Sequence, residues 1–223
     1  MIALVCVAAV VVGVVVFFVV GTRIDPKAAK DRDQASASLL TTGDIGGQWM
    51  VVHEERHALG GGAQTIIGGS SACSAPKAHA LDVQAWTVRD FSVQQGAVVA
   101  YLGSAIVVAS DEAEAAVMFE DFKLVAQACV TSLMNEAGAG FQGFTVSLHE
   151  TDELSVGDHS ATFSGALGVP GAGAAGIDAL VVQSGRSMIV LIDLDTTGTL
   201  ASKHFVDWAK AVGDRLQRNL PAR

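Results

Sequence analysis

IDALVVQSGRSMIVLIDLD, residues 177–195, is the stretch that decides the fold. Two runs of aliphatic and β-branched residues flank Ser184, Gly185 and Arg186. So short a link is a tight hairpin signal, because parallel neighbours need a crossover of about a dozen residues or more. The two runs therefore pair antiparallel. Upstream, FTVSLHE (144–150) and SATFSGAL (160–167) read as two further strands. AWTVRDFSV (85–93) sets Trp86 and Val88 against Thr87 and Arg89, then places Phe91 and Val93 on one parity, the two-residue period of a sheet. AVVAYLGSAIVVAS (97–110) is one strand bent at Gly103, or a strand pair. WMVVHEE (49–55) is a strand candidate from its β-branched and aromatic content. GGGAQTIIGGSSA (60–72) is a loop leading to a turn or short helix at SAPKAHAL.

Helical periods appear twice. Ser110 can cap a helix whose first turn holds Asp111, Glu112 and Glu114, where the helix dipole favours anions. Ala115, Phe119, Phe122, Ala126, Cys129 and Leu133 follow at spacings of three or four and make one inward stripe. The second helix covers residues 199–219, with Leu200, Phe205, Trp208, Val212 and Leu216 inward and Pro221 after its end. Between them in character, SLLTTGDIGG (38–47) reads as one helical turn that Thr42 can cap and Gly46 and Gly47 end. Hairpin-length links and two helices predict an α+β domain over 38–220, an antiparallel sheet with two packed helices.

Ahead of that domain, residues 2–20 carry no charge and are mostly Val, Ala, Leu, Ile and Phe. As a helix they span roughly 28 Å, close to a bilayer's hydrocarbon thickness. Lipid offers backbone amides no water, which forces a helix despite the valines. The expected organisation is one N-terminal transmembrane helix at 1–21, a charged, alanine-rich tether at 22–37 without a buried face, and then the domain. A cleaved signal peptide is the rival reading. It lacks a basic residue before the apolar run, and the run is long for a signal's core. Arg23, Lys27, Lys30 and Arg32 would place the following side in the cytoplasm. The cysteines argue the other way.

Beyond the apolar segment the cysteines are Cys73 and Cys129. Two cysteines in an exported domain usually pair, and closing that loop would contribute roughly 3–4 kcal/mol on the chain-entropy account. Two buried free thiols are the alternative. The disulfide Cys73–Cys129 is the expectation, and an extracytoplasmic domain goes with it. The formal net charge is −9, and the acidic excess lies beyond Thr42. That field repels phosphates, so nucleic acid is excluded as a partner. Aromatic residues, at 6 %, are too few for a base- or sugar-stacking surface.

The sharpest motif is HEERH, in which His53, Glu54 and His57 have the H-E-x-x-H spacing of a zinc hydrolase. On a helix the two imidazoles share a face and grip the ion while the glutamate activates water. Gly60 continues the metzincin pattern, but Ala63 stands where its third histidine belongs. Glu55 and Arg56 fill positions that usually pack behind the metal, and on a strand the two histidines are no longer helical neighbours. His79 is the nearest other histidine. GAGAAG (171–176) matches the dinucleotide fingerprint in letters, yet a strand follows it where a helix is needed. Asp158 and His159 read as turn residues, since neighbours on a strand point to opposite faces. His149 and His204 read as surface histidines. Trp49, Trp86 and Trp208 read as core, or as the lining of one cleft.

LLTTGDIGGQW, then a cysteine, strands, a helix bearing a second cysteine, VGDHSATF and a hairpin together resemble a known exported family. The arrangement over roughly 38–219 is similar to actinobacterial extracytoplasmic sensor-type domains, the outer domains of PknH-type receptor kinases and related membrane-attached proteins. The resemblance implies binding rather than catalysis, and a cleft that family members often brace with two disulfides. This chain can make one.

These readings predict a non-enzymatic, single-pass cell-membrane protein without a cofactor, its C-terminal domain on the extracytoplasmic side. An accessory subunit docked on a larger membrane protein assembly is the first expectation, since valine faces with Gly13 suit packing against another transmembrane helix. A sensor or carrier for a small ligand is the second. A zinc-dependent hydrolase is the third.

Overall fold

A computed structural model describes residues 26–59, 64–65, 80–95, 98–128, 143–151, 154–170, 173–195 and 204–220. Its centre is the hairpin of β8 (Gly173–Ser184) and β9 (Ser187–Asp195), paired antiparallel from Gly176 opposite Asp195 to Ser184 opposite Ser187. Gly185 makes the turn at φ 54°, a left-handed angle that a side chain resists. On one flank of the hairpin lie β5 (Val98–Ala109), β4 (Val83–Gln95) and β1 (Met50–Ala58). On the other lie β7 (His159–Val169) and β6 (Thr145–Glu150). The sheet order is β1-β4-β5-β9-β8-β7-β6, with every neighbour antiparallel. A separate two-stranded ribbon joins β2 (Gln64–Thr65) to β3 (Ala80–Leu81). All nine residues of β9 are buried, which is why its sequence runs apolar on both parities. Gly103 lies inside a continuous β5, so the reading of a strand pair is corrected to one strand.

Helices close both faces. On one, α3 (Glu112–Ala128) presses Ala115, Met118, Phe119, Phe122 and Ala126 onto Val88, Tyr101, Phe163 and Val190. Its N-terminus is capped by Asp111, whose Oδ1 accepts from the Glu114 amide at 2.9 Å. On the other face lie α1 (Pro26–Ser38), the single turn α2 (Thr42–Ile45) and α4 (Phe205–Asn219). There Ala35, Leu39, Leu40, Phe205, Trp208, Val212 and Leu216 meet Phe91, Leu102, Ile106, Leu180 and Leu191. Each of these fully buried phenylalanines and leucines contributes about 1.5–3 kcal/mol. The cap of α2 is Thr41 rather than Thr42, in a capping box with Asp44.

The expected architecture of two packed helices is corrected: the seven-stranded sheet carries three, plus the turn α2. The tether expected at 22–37 is the reason. From Pro26 it is α1, and Ala28, Asp31, Ala35 and Ser38 give it a buried face at helical spacing. Small side chains let α1 approach β4 and α4 closely, and they carry almost none of the hydrophobic signal that marks a packed helix. Among the described residues no helix is long and apolar enough to cross a membrane. The transmembrane helix expected at 1–21 lies outside the described residues, as do Cys73, Cys129, His79 and Leu200.

Two arginines fasten α1. Arg186, from the β8–β9 turn, donates to both oxygens of Asp31 at 2.7 and 2.9 Å and to the Ala109 carbonyl at 3.1 Å. Both partners are buried, Arg186 at 5 % exposure and Asp31 at 0 %. Arg215 of α4 donates to the Ser38 and Leu39 carbonyls, which the end of α1 leaves without helical partners, and forks onto Asp44 at 2.9 and 3.0 Å. Burial works to raise the Asp44 pKa, but Arg215 and Thr41 more than offset it, leaving the carboxyl below its ordinary value.

Candidate binding site

HEERH lies on β1, so the helical premise of a zinc site fails. At about 3.3 Å per residue, His53 and His57 sit roughly 13 Å apart along the strand. Their Nε2 atoms flank the Glu55 carboxylate, at 3.1 and 3.5 Å, rather than a shared ion. Among the described residues no group of three His, Cys, Asp or Glu side chains is placed to hold a metal. The strand does something else with the motif. A bulge between Val51 and His53 resets the register so that His53 falls opposite Asp90 and His57 opposite Trp86. His53, Glu55 and His57 then share the α3 side of the sheet. Glu54 turns to the other side, where Arg89 donates to it at 2.9 Å and to the Leu40 carbonyl at 2.8 Å. The Arg89 hydrogen bond holds the Glu54 carboxyl below its usual pKa.

Both ring nitrogens of His53 meet carboxylates: Nδ1 lies 2.9 Å from Asp90 Oδ2 and Nε2 lies 3.1 Å from Glu55 Oε1. A neutral imidazole has one N–H, so satisfying both contacts takes a further proton on the ring or on a carboxyl. Asp90 is fully buried, and that burial pushes its pKa up, against the opposing pull of Tyr101 and His53. His57 stacks on Trp86 at 4.3 Å and lies 3.5 Å from the second Glu55 oxygen. The motif is an ion-pair and stacking network on an edge strand, with no nucleophile.

A concave feature lies elsewhere. An open cavity of about 580 Å³ is walled by the start of α3 (Ser110, Asp111, Glu112), the loop before β7 (Gly157, Asp158) and the β8–β9 turn. Leu216, Gln217 and Leu220, at the end of α4, complete it. Gly157 has φ 69°, and a Cβ there would collide with the Gln183 carbonyl, so the loop packs directly on β8. Asp158 accepts from the Gly185 amide at 2.6 Å, which ties the two turns together. Asp158 thus lies in the turn, whereas His159, expected there too, is the first residue of β7, with its ring 6.0 Å from Phe119. The cavity was not legible as a motif, because its residues come from four separate stretches.

The remaining candidates separate. Gly173–Gly176 belong to β8, with no helix after them. Trp49 and Trp208 lie on the α4 side, where Trp208 donates to the Asp44 carbonyl at 3.2 Å, and Trp86 lies on the α3 side. No single cleft gathers the three tryptophans. His149 and His204 are exposed.

No protein-family model matches the chain, and no curated protein matches it. Among solved structures, the chain is similar to the extracellular domain of PknH from Mycobacterium tuberculosis, at a TM-score of 0.51 and 8 % identity. The likeness covers 84 % of this chain and 96 % of that one, and at such an identity it is a likeness of fold.

Proposed function

We propose that this chain is a non-catalytic binding domain on the extracytoplasmic side of a cell membrane, held there by the apolar residues 2–20. The observation that carries this reading is the fold likeness to the extracellular domain of PknH over most of both chains. The strand conformation of HEERH removes the one sequence feature that argued for hydrolysis. The domain serves a larger membrane assembly as an accessory subunit. Its edge strand β1 supports that role, since the strand begins with exposed Met50, Val51 and Val52, and a sheet edge offers backbone groups for a partner. The test is topology. In intact cells stripped of their wall, external protease should degrade the domain while the membrane-associated N-terminal fragment survives. Protection of the domain until the membrane is broken would overturn the reading.

The cavity between α3, α4 and the β8–β9 turn supports a second role, as a sensor or carrier of a small ligand. Its volume falls in the range of small-molecule sites.

A further inference from the structure

We infer that the edge strand β1 is closed onto the sheet by one proton, held jointly by His53, Asp90 and Glu55, and loosened when that proton leaves. This regulates the edge offered to a partner, and it rests on the accessory-subunit reading. His53 is the first residue past the bulge, where the ladder between β1 and β4 resumes. Ahead of the bulge only Met50 and Val51 still pair with β4, and Met50, Val51 and Val52 are 63, 46 and 41 % exposed. A strand end with exposed side chains beyond an interrupted ladder belongs to the part of a fold that opens most readily. The His53 side chain fastens it from the α3 side, with Nδ1 2.9 Å from Asp90 Oδ2 and Nε2 3.1 Å from Glu55 Oε1.

The cluster is short of one proton. Ionised carboxylates only accept, and a neutral imidazole offers one N–H and one lone pair. One of the two carboxylates then faces a lone pair, which repels it. Asp90 has no water to turn to, being fully buried. A single added proton gives each contact its donor, whether it sits on the ring or on Asp90. Burial of Asp90 works in the same direction, since it favours the protonated carboxyl. The closed strand therefore holds the proton more firmly than the open one, and by linkage its closure weakens as pH rises.

Other charged groups stand around this cluster. On the α3 side, His57 Nε2 lies 3.5 Å from the second Glu55 oxygen, and Tyr101 of β5 pulls Asp90 toward its ionised form. On the far side of the sheet, Arg56 and Arg89 are both paired with Glu54, and α1 packs against β1 from there. The helix α3 packs on β5, β6, β8 and β9. Asp90 is the group that ties the proton to strand closure, because it belongs to β4 while His53 and Glu55 belong to β1.

The experiment follows deuterium exchange of the full chain in detergent by mass spectrometry, from about pH 5 to about pH 8, the range in which imidazoles change charge. Corrected for the intrinsic rate, protection of the amides over 50–55 should fall about tenfold or more across that range, while protection of β9 stays constant. Asp90→Asn and Glu55→Gln each replace an acceptor by an amide that can donate to or accept from a neutral ring. Either one alone should leave β1 closed and its protection flat with pH. His57→Gln should keep the fall. A flat profile in the unaltered chain, an equal fall in β9, a fall that survives Asp90→Asn, or a fall that His57→Gln abolishes as fully as Asp90→Asn would each overturn the inference. No partner and no membrane sidedness enters this measurement. A flat profile in a domain that lies outside the cell would sink the proton latch and leave the extracytoplasmic reading intact, and a pH-dependent β1 in a domain on the cytoplasmic side would do the reverse.

Discussion

Removing one partner of the Asp31–Arg186 pair is the most informative perturbation of this fold. Asp31→Leu leaves a guanidinium buried without its carboxylate, in a position 5 % exposed. Breaking a buried pair in this way costs about 3–5 kcal/mol, against a total stability of about 5–15 kcal/mol for a domain. For a domain of this size each kcal/mol moves Tm by about 2–4 °C, so a fall of about 6–20 °C is expected. Arg186→Met should cost a comparable amount, since it removes both bonds to Asp31 and the bond to the Ala109 carbonyl. The double variant should recover most of the loss, because two apolar side chains of similar volume need no counter-charge. Urea unfolding followed by tryptophan fluorescence reads all four corners of the cycle, provided the slope stays constant. Single variants that each lose less than about 1 kcal/mol would show that water reaches the pair and that it behaves like a surface ion pair. That result would refute the claim that this contact seats α1.

Further outcomes follow from other contacts. Asp90 has its folded pKa raised by burial, so its ionisation costs stability above that folded pKa, and the cost disappears below the ordinary carboxylate range. Asp90→Asn should therefore stabilise the protein at neutral pH and make no difference at about pH 3, as read from thermal melts across pH. Asp44 works with the opposite sign: its lowered pKa adds stability above the ordinary carboxylate range that is lost as pH falls through the folded value, and Asp44→Asn should remove that acid limb. Gly165 in β7 has no space for a side chain, because a Cβ would run into the Ser147 carbonyl of β6. Gly165→Ala should cost about 1–3 kcal/mol and raise amide exchange in β6 before any other strand. Non-reducing peptide mapping should recover Cys73 and Cys129 as one disulfide-linked pair; two free thiols would remove that part of the extracytoplasmic argument.

The sheet was legible because its signals are large and local. The short link at 184–186 fixed the central hairpin, and the two-residue period at 85–93 told β4 from a helix. The stripe of Ala115, Phe119, Phe122 and Ala126 likewise announced α3. What was hidden depended on burial of residues that look solvated. Ala28, Asp31, Ala35 and Ser38 read as a polar tether, since nothing local shows that Asp31 meets an arginine 155 positions away. The cavity was hidden for the same reason, its walls being brought together by the sheet. HEERH misleads in the other direction. Its letters fit a helical zinc site, but the β-branched residues before it start a strand, and the bulge then pairs His53 with Asp90 instead of with a metal.

The way α1 is attached has a mechanical consequence. Among the described residues no backbone hydrogen bond joins α1 to the sheet; side chains hold it, chiefly Arg186 to Asp31 and, at and just past its C-terminal end, Arg215 of α4 to Ser38 and Leu39 and Arg89 of β4 to Leu40. The strands, by contrast, are laced to one another along their whole paired length. Tension applied at the N-terminus therefore falls first on a few side-chain clasps and only afterwards on the ladder. Pulled by its apolar end in an optical trap, the protein should yield in two rips, a small one as α1 peels away and a large one as the sheet opens. Between its first segment and its sheet the chain carries a fuse, which lets the neck give way under load while the seven strands hold.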